Sequence, residues 1–429
     1  MDVDRRQFIK TVGALSVFSI VPRFVLGGKG FLPPSDKITL GFIGTGKQNH
    51  GLQRSFLNTG EVEIIAASDV YAEKLTSFIN QFNTIYNEKF GEQPKRNITA
   101  YNDFRELLNN KEIDAVVIAA PDHWHAVMAV KAAEAGKDIY CEKPLALTIK
   151  EGRAMVKAAR KYNRVFQTGS MQRSWPEFRQ AAELVRNGYI GDLQTIKVSV
   201  GGPPVPYNLP QETLPSGLNW DQWIGPNDPV HYNNELAPPL TADFWPRWRN
   251  FKEFGGGGMT DWGAHMFDIA QWALDMDGSG PVRIVPPDGK EHPFLTYYYE
   301  NGITMTHENF GINNAVRFIG SKGQIDVQRK KLETTPVSIK DIQIKDTEKR
   351  VYFSDNHHKD FLKAIRTRTN PICDVEVGHR TASVCTLGNI AYELKRPLKW
   401  NPKKEKFKKD KEANVLRGRP MRKEWSVAL

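Results

Sequence analysis

Ile38-Thr39-Leu40-Gly41-Phe42-Ile43-Gly44-Thr45-Gly46 is the stretch on which the fold turns. Its first six residues form a short run of the apolar and β-branched kind that reads as a buried strand, and it ends in a glycine turn. A helical pattern follows from about Gly51 to Asn58. Strand, glycine turn and helix in that order make the first unit of a dinucleotide-binding fold. Gly44 permits the tight turn, Gly46 lets backbone approach a pyrophosphate, and the helix N-terminus offers that anion free N–H groups. The third glycine of the fingerprint is missing: Asn49 stands there, and Gly51 comes two residues later.

Working outward, Val62–Ser68 reads as a second strand ending at Asp69. An acid at that tip suits a ribose diol and favours NAD over NADP; the same residue could equally cap a helix starting near Ala72. Asp114–Ala120 is a continuous apolar run, as expected of a strand buried on both faces of a parallel sheet. It leads into Pro121-Asp122-His123-Trp124-His125, a helix to Ala135, a stop at Gly136 and a strand at Lys137–Cys141. Alternating strands and helices predict a doubly wound parallel sheet, with ligands at the carboxyl ends of its strands.

Glu142-Lys143-Pro144-Leu145-Ala146 follows directly, and Gly255-Gly256-Gly257-Gly258 precedes Asp261-Trp262-Gly263-Ala264-His265. With the glycine turn and Pro121–His125, these motifs resemble the glucose–fructose oxidoreductase and inositol dehydrogenase (Gfo/Idh/MocA) family over nearly the whole chain. The resemblance implies a catalytic group of Lys143, Asp261 and His265. It also implies cofactor contacts from Gly44, Thr45, Gly46, Gln48, Asp69, Ala120, Pro121, His125, Glu142 and Lys143, and places Gln172 and Arg173 near the substrate.

The residue types fit that chemistry. Oxidising an alcohol with NAD requires a group that takes the hydroxyl proton while hydride leaves the same carbon. Histidine titrates in the useful range, and a nearby carboxylate can orient it. Asp261 and His265, at i and i+4, share a face if they lie on one helix. His265 is therefore the expected proton acceptor, Lys143 its partner on the same oxygen, and Asp261 an orienting or substrate-binding carboxylate. Singly, each has a plainer reading as a helix-start acid, a core histidine or a solvated lysine.

The second half suggests an α+β domain with an open-faced, mostly antiparallel sheet, from strands at 193–200, 296–300, 304–309, 315–319 and 324–328. That open face is a natural oligomer contact. Residues 201–255 read as a long loop carrying Trp220, Trp223, Trp245 and Trp248. Their rings suit a sugar or serve only to pin the loop. Helices are expected at 357–367 and 378–394. His357-His358 point apart on a helix and lack a third partner, so no metal is expected.

A length of 429 residues allows two domains. The formal charge of +10 lies at the ends, because residues 1–30 carry five basic and two acidic side chains and residues 399–429 eleven and four. A neutral body excludes a nucleic-acid groove. Cys141, Cys373 and Cys385 are too few and scattered for a disulfide framework. Asp4-Arg5-Arg6-Gln7-Phe8-Ile9-Lys10 and the apolar Thr11–Val21 resemble a twin-arginine signal, implying a periplasmic enzyme, no membrane insertion of the mature form, and NAD carried folded from the cytoplasm. The expected division is a signal at 1–30, a nucleotide domain at 36–168, a substrate domain at 169–400 and a solvated basic tail at 401–429. The expected reaction is oxidation of a secondary hydroxyl of a sugar or glycoside, with C3 as the position to expect, by tightly held NAD. Two alternatives are a glycosidase using NAD for transient oxidation and elimination, and a non-catalytic sugar-binding protein.

Overall fold

The computed structural model describes residues 36–91 and 97–427, so the predicted signal lies outside the described residues. Six strands, β1 (Ile38–Ile43), β2 (Val62–Ser68), β3 (Thr99–Tyr101), β4 (Ala115–Ile118), β5 (Asp138–Cys141) and β6 (Phe166–Thr168), form one sheet in the order β3-β2-β1-β4-β5-β6. Every pairing in it is parallel. The strands are near-continuously apolar because helices cover both faces. One face packs Ile43, Val116 and Ile118 against Ala126, Val127, Met155 and Ala159. The other packs Leu40, Phe42 and Val117 against Phe56, Phe78 and Phe361. Phe361 belongs to the late helix His357–Thr367, which therefore closes the nucleotide domain rather than the substrate domain.

The remaining chain builds a nine-stranded sheet. Its strands are β7 (Leu193–Ser199), β8 (Arg283–Val285), β9 (Leu295–Tyr298), β10 (Thr304–His307), β11 (Ala315–Gly320), β12 (Gln324–Gln328), β13 (Lys331–Thr335), β14 (Leu398–Asn401) and β15 (Lys406–Phe407). They run in the order β13-β12-β11-β7-β10-β9-β8-β14-β15, antiparallel except for β7 beside β10. Phe178, Met266, Phe267 and Leu387, from helices Pro176–Arg186, Gly263–Ala273 and Val375–Leu394, join Ile196, Tyr297 and Phe318 in its core. The short strands β8 and β13 to β15 carry too little periodic signal to be read in advance.

Two expectations change here. Residues 401–427 are not a separate tail. Their lysines are solvated, but Phe407 is buried, Glu405 bonds His379 and Arg153, and Trp425 packs edge-on against Trp124 at 4.8 Å. The loop 201–255 also has a core of its own: Trp220 stacks on Trp223 at 4.6 Å, and Trp223, Tyr232, Trp248 and Phe254 are buried together. For Trp220, Trp223 and Trp248 the pinning role is the observed one. Trp245 stays 54% exposed.

His357 lies buried with its ring on the Thr168 carbonyl at 3.1 Å, and His358 stacks on Tyr140. All three cysteines are free and buried. Among the described residues no His, Cys, Asp and Glu group has the arrangement of a metal site, and no helix is long and apolar enough to cross a membrane.

Candidate active site

A cleft opens along the carboxyl edge of the parallel sheet, where the ends of β1, β2, β4 and β5 converge. Gly44, Gly46, Gln48, Asp69, Ala120, Pro121, His125, Glu142 and Lys143 all line it. Gly44 has φ +78°, and a Cβ there would sit 2.9 Å from the Ala119 carbonyl oxygen, so both turn and packing require glycine. Helix Lys47–Thr59 starts at Gly46 with no side-chain cap and no acid in its first turn. Its free N–H groups and the open face of Gly46 fit a pyrophosphate. Asn49 explains the broken fingerprint: its buried amide donates to the Ile43 carbonyl at 3.1 Å and to that of Gly44, tying down the turn that the helix leaves. Thr45 is buried beneath the turn, and its N–H and hydroxyl donate to Asp69 Oδ2 at 2.5 and 3.0 Å. Asp69 Oδ1 accepts from the Tyr71 N–H at 2.9 Å, and the following helix is not capped by its side chain. These residues suit an NAD ribose and pyrophosphate.

His125 holds the frame rather than offering a free ring. Its two nitrogens face the Pro144 and Ala120 carbonyls at 2.9 Å each, tying the end of β4 to the turn bearing Lys143. Burial lowers it to about 4. Glu142 is buried against Gly169, and burial raises its carboxyl against the opposing pull of Lys143 and Gln48.

At the inner end of the cavity Lys143 Nζ donates to Asp261 Oδ1 at 2.7 Å and to the Asp261 carbonyl at 3.0 Å. Arg249, over the Trp248 ring, approaches the same Oδ1 at 3.6 Å. Burial would raise the Asp261 carboxyl, but Lys143 and Arg249 together hold it below the usual carboxylate range.

His265 does not pair with Asp261. Trp262, between Gly258–Asp261 and Gly263–Ala273, keeps a helical backbone, and Asp261 and His265 both reach toward Lys143 but take different partners. The glycine run is required by close backbone approach: a Cβ on Gly258 would lie 2.5 Å from Gly201 Cα, and one on Gly257 2.6 Å from the Pro203 carbonyl carbon. The neighbour is the chain itself and not a ligand. His265 Nε2 instead accepts from Arg329 Nη2 at 3.2 Å, while Nδ1 is buried without a partner. Arginine only donates, so the proton of the neutral ring sits on Nδ1. Burial first, then the charges of Lys143, Arg329 and His357, pushes His265 well below the ordinary histidine range.

Gln172 is buried with Oε1 accepting from Arg329 Nε at 3.1 Å. Arg173 departs from its expected substrate role. It is 1% exposed, and its guanidinium is taken up by Asp268 and Asp277. It braces the site from behind.

Sequence reasoning missed Arg329, Arg249 and Asp122. Arg329 comes from a hairpin far from the motifs, and Arg249 from a short turn, Arg247–Asn250, that stands just before the glycine run and carries no pattern of its own. Asp122 lies inside a quoted motif, and its short side chain starting a helix next to the cavity was the available signal. It is 3% exposed, lines the cavity and leaves Oδ1 without a partner. Burial pushes its carboxyl up to about 8, with Asp261 adding to the rise and Arg249 and Lys143 opposing it. The folded-state value exceeds the unfolded one, so the contribution of Asp122 is full below the ordinary carboxylate range, is lost progressively as pH rises from there to about 8, and levels off above it. The stability of the cofactor-free protein to heat is expected to fall by up to about 1.4 kcal/mol per pH unit as pH rises toward that value, and to level off beyond it. Asp122→Asn should flatten that slope; an unchanged slope would show that the carboxyl titrates elsewhere.

Two family models match the chain: "Oxidoreductase family, NAD-binding Rossmann fold" over residues 38–170, and "Oxidoreductase family, C-terminal alpha/beta domain" over 205–427. The second runs past 401, consistent with the packed tail. The uncharacterized oxidoreductase YrbE of Bacillus subtilis is 25% identical over 359 residues, 79% of this chain and 89% of its own. A glycosyl hydrolase family 109 protein of Shewanella pealeana is 31% identical over 208 residues, 45% of either chain. The myo-inositol dehydrogenase of Lactobacillus casei, solved with NAD(H) and myo-inositol, shares the fold at TM-score 0.56 and 19% identity, covering 85% of this chain and 97% of that one. With a nucleotide cradle at one end of the cleft and matching models on both halves, the chain belongs to the Gfo/Idh/MocA oxidoreductase family.

Proposed function

We propose that this protein oxidises a secondary hydroxyl of a sugar or glycoside, with NAD held along the cavity. The observation that carries the reading is the Lys143–Asp261 pair at the inner end of the nucleotide cleft, with neutral His265 close enough to feel the charge of Lys143. Bound NAD supplies the hydride acceptor, held by Gly44 to Gln48, Asp69 and the Ala120-Pro121 wall; the acid at position 69 favours NAD over NADP.

The chain's own residues manage the oxygen and its proton. Lys143 spends two N–H groups on Asp261 and keeps a third for the substrate oxygen. Asp261 fixes that ammonium in place. His265 takes the hydroxyl proton at Nε2, the nitrogen whose lone pair faces Arg329. As the C–H electron pair leaves as hydride, the O–H electrons close the carbonyl and the product is a keto sugar; we take C3 as the first position to examine. The resemblance of residues 1–30 to a twin-arginine signal supports a periplasmic site of action with a retained cofactor. The open sheet is the face we assign to a second copy.

A second reading, glycoside cleavage through transient oxidation, draws support from the Shewanella relative, whose match spans less than half of each chain. Incubating the NAD-loaded protein with p-nitrophenyl glycosides, both neutral and uronic, and with disaccharides separates the readings. Net keto-sugar formation is the expected result. Free aglycone with no keto product would replace it with the hydrolytic reading, and binding without turnover would leave a sugar-binding protein.

A further inference from the structure

The proposed chemistry leaves Arg329 without a task. It follows β12 at a tight hairpin in which Lys330 has φ +63°. The hairpin carries its guanidinium between two indole rings, 4.6 Å from the centre of Trp262 and 5.3 Å from that of Trp175. Nε donates to Gln172 Oε1 and Nη2 to His265 Nε2, both neutral acceptors. Among the described residues no carboxylate lies within ion-pair distance of it, and three of its five N–H groups have no protein acceptor. Asp261 and Glu142 attract it only from beyond ion-pair distance, and Lys143 and Arg249 already share Asp261. A half-buried guanidinium walled by aromatic rings, with an unused fork beside the expected proton acceptor, is built to take a planar anion.

Building on the oxidation reading above, we propose that the substrate is an acidic sugar, a hexuronic acid or its glycoside, whose carboxylate is bound by Arg329. The same contact arms the base. A carboxylate engaging Nη1 and Nη2 draws the guanidinium fork off His265 Nε2 and frees the lone pair that must accept the hydroxyl proton. Trp262 and Trp175 offer apolar surfaces beside the fork for the C–H face of the ring. A neutral sugar makes no such contact and leaves His265 engaged.

Binding tests this without requiring turnover. Calorimetric titration of the NAD-loaded protein with a methyl hexuronide and with the matching methyl hexoside gives an affinity ratio. At least tenfold preference for the uronide is expected, shrinking as salt is raised. Arg329→Gln should bring the ratio to about one, and Arg329→Lys should restore only part of it, because an ammonium lacks the planar fork. NAD binding by each variant reports folding, since Arg329 does not line the nucleotide cavity; should Arg329→Gln not fold, the wild-type ratio and the lysine variant decide. Equal wild-type affinities, binding of neither sugar, or a ratio that survives Arg329→Gln overturns the assignment. A hexose phosphate or sulfate ester binding better than the uronide overturns the carboxylate. Keto-sugar formation from neutral glycosides at equal affinity removes this inference alone. Absence of keto product from every glycoside removes the oxidation reading and leaves the affinity ratio standing on its own.

Discussion

Lys143→Met is expected to cut keto-sugar formation about 10³-fold while leaving NAD binding nearly intact. The size follows from what is lost: a preorganised cation aimed at the oxygen on which charge develops, in a site screened from water. Its position is over-determined. Nζ is held by both the side chain and the backbone carbonyl of Asp261, so its freedom is spent before substrate arrives. The variant keeps the stem's packing and removes only the charge. Asp261 retains Arg249 at 3.6 Å, which should preserve the fold and keep the defect local. Single-turnover measurement of the nicotinamide absorbance separates the two steps, since cofactor binding and sugar oxidation are read independently. Turnover within tenfold of the wild type would remove Lys143 from the catalytic group and leave the pair as a structural tie.

How much of this was legible depends on the range over which each feature is encoded. The glycine turn, Asp69 and the apolar strands are local. A strand buried on both faces must be continuously apolar, and the turn after β1 must contain glycine, so a single pass finds them. Asn49 looked like damage to the fingerprint, although its amide performs a holding role on the turn's carbonyls. The spacing of Asp261 and His265 brought both toward Lys143 but could not show their partners: Asp261 is held by Lys143 and Arg249, and His265 by Arg329. Arg329 and Trp425 reach the site from 64 and 301 residues away respectively (from His265 and from Trp124), through sheet pairing and tail docking that no local pattern encodes. Arg173 adjoins Gln172 in sequence, and adjacency suggested a shared role; on the short turn Met171–Ser174 the two side chains have different partners.

That divergence makes Arg173→Met the substitution expected to cost most stability, about 3–5 kcal/mol. Arg173 Nε and Nη2 donate to the two oxygens of Asp268 at 2.8 Å each, and Nη1 and Nη2 reach Asp277 at 2.9 and 2.7 Å. The guanidinium also lies over Trp272 at 5.1 Å, and Thr381 donates to Asp268 from the helix Val375–Leu394. Methionine fills part of the volume but strands the Asp268 carboxylate, which is 1% exposed and cannot regain water. Burial then drives that carboxyl up, so the deficit should deepen as pH rises. Asp277 is a third exposed and can solvate, so the cost falls on Asp268. Adding Asp268→Leu should recover most of the loss, because replacing both members of a buried pair by apolar groups is often neutral whereas removing one is not. Denaturant unfolding of the two variants measures the difference. The pairing also bears on function: Asp268 stands one helical turn beyond His265, and Gln172 beside Arg173 holds Arg329. The double variant should therefore fold yet position His265 and Arg329 less firmly. Equal unfolding of Arg173→Met and wild type would mean that the network holds nothing, and the turn Met171–Ser174 would then owe its position to packing alone.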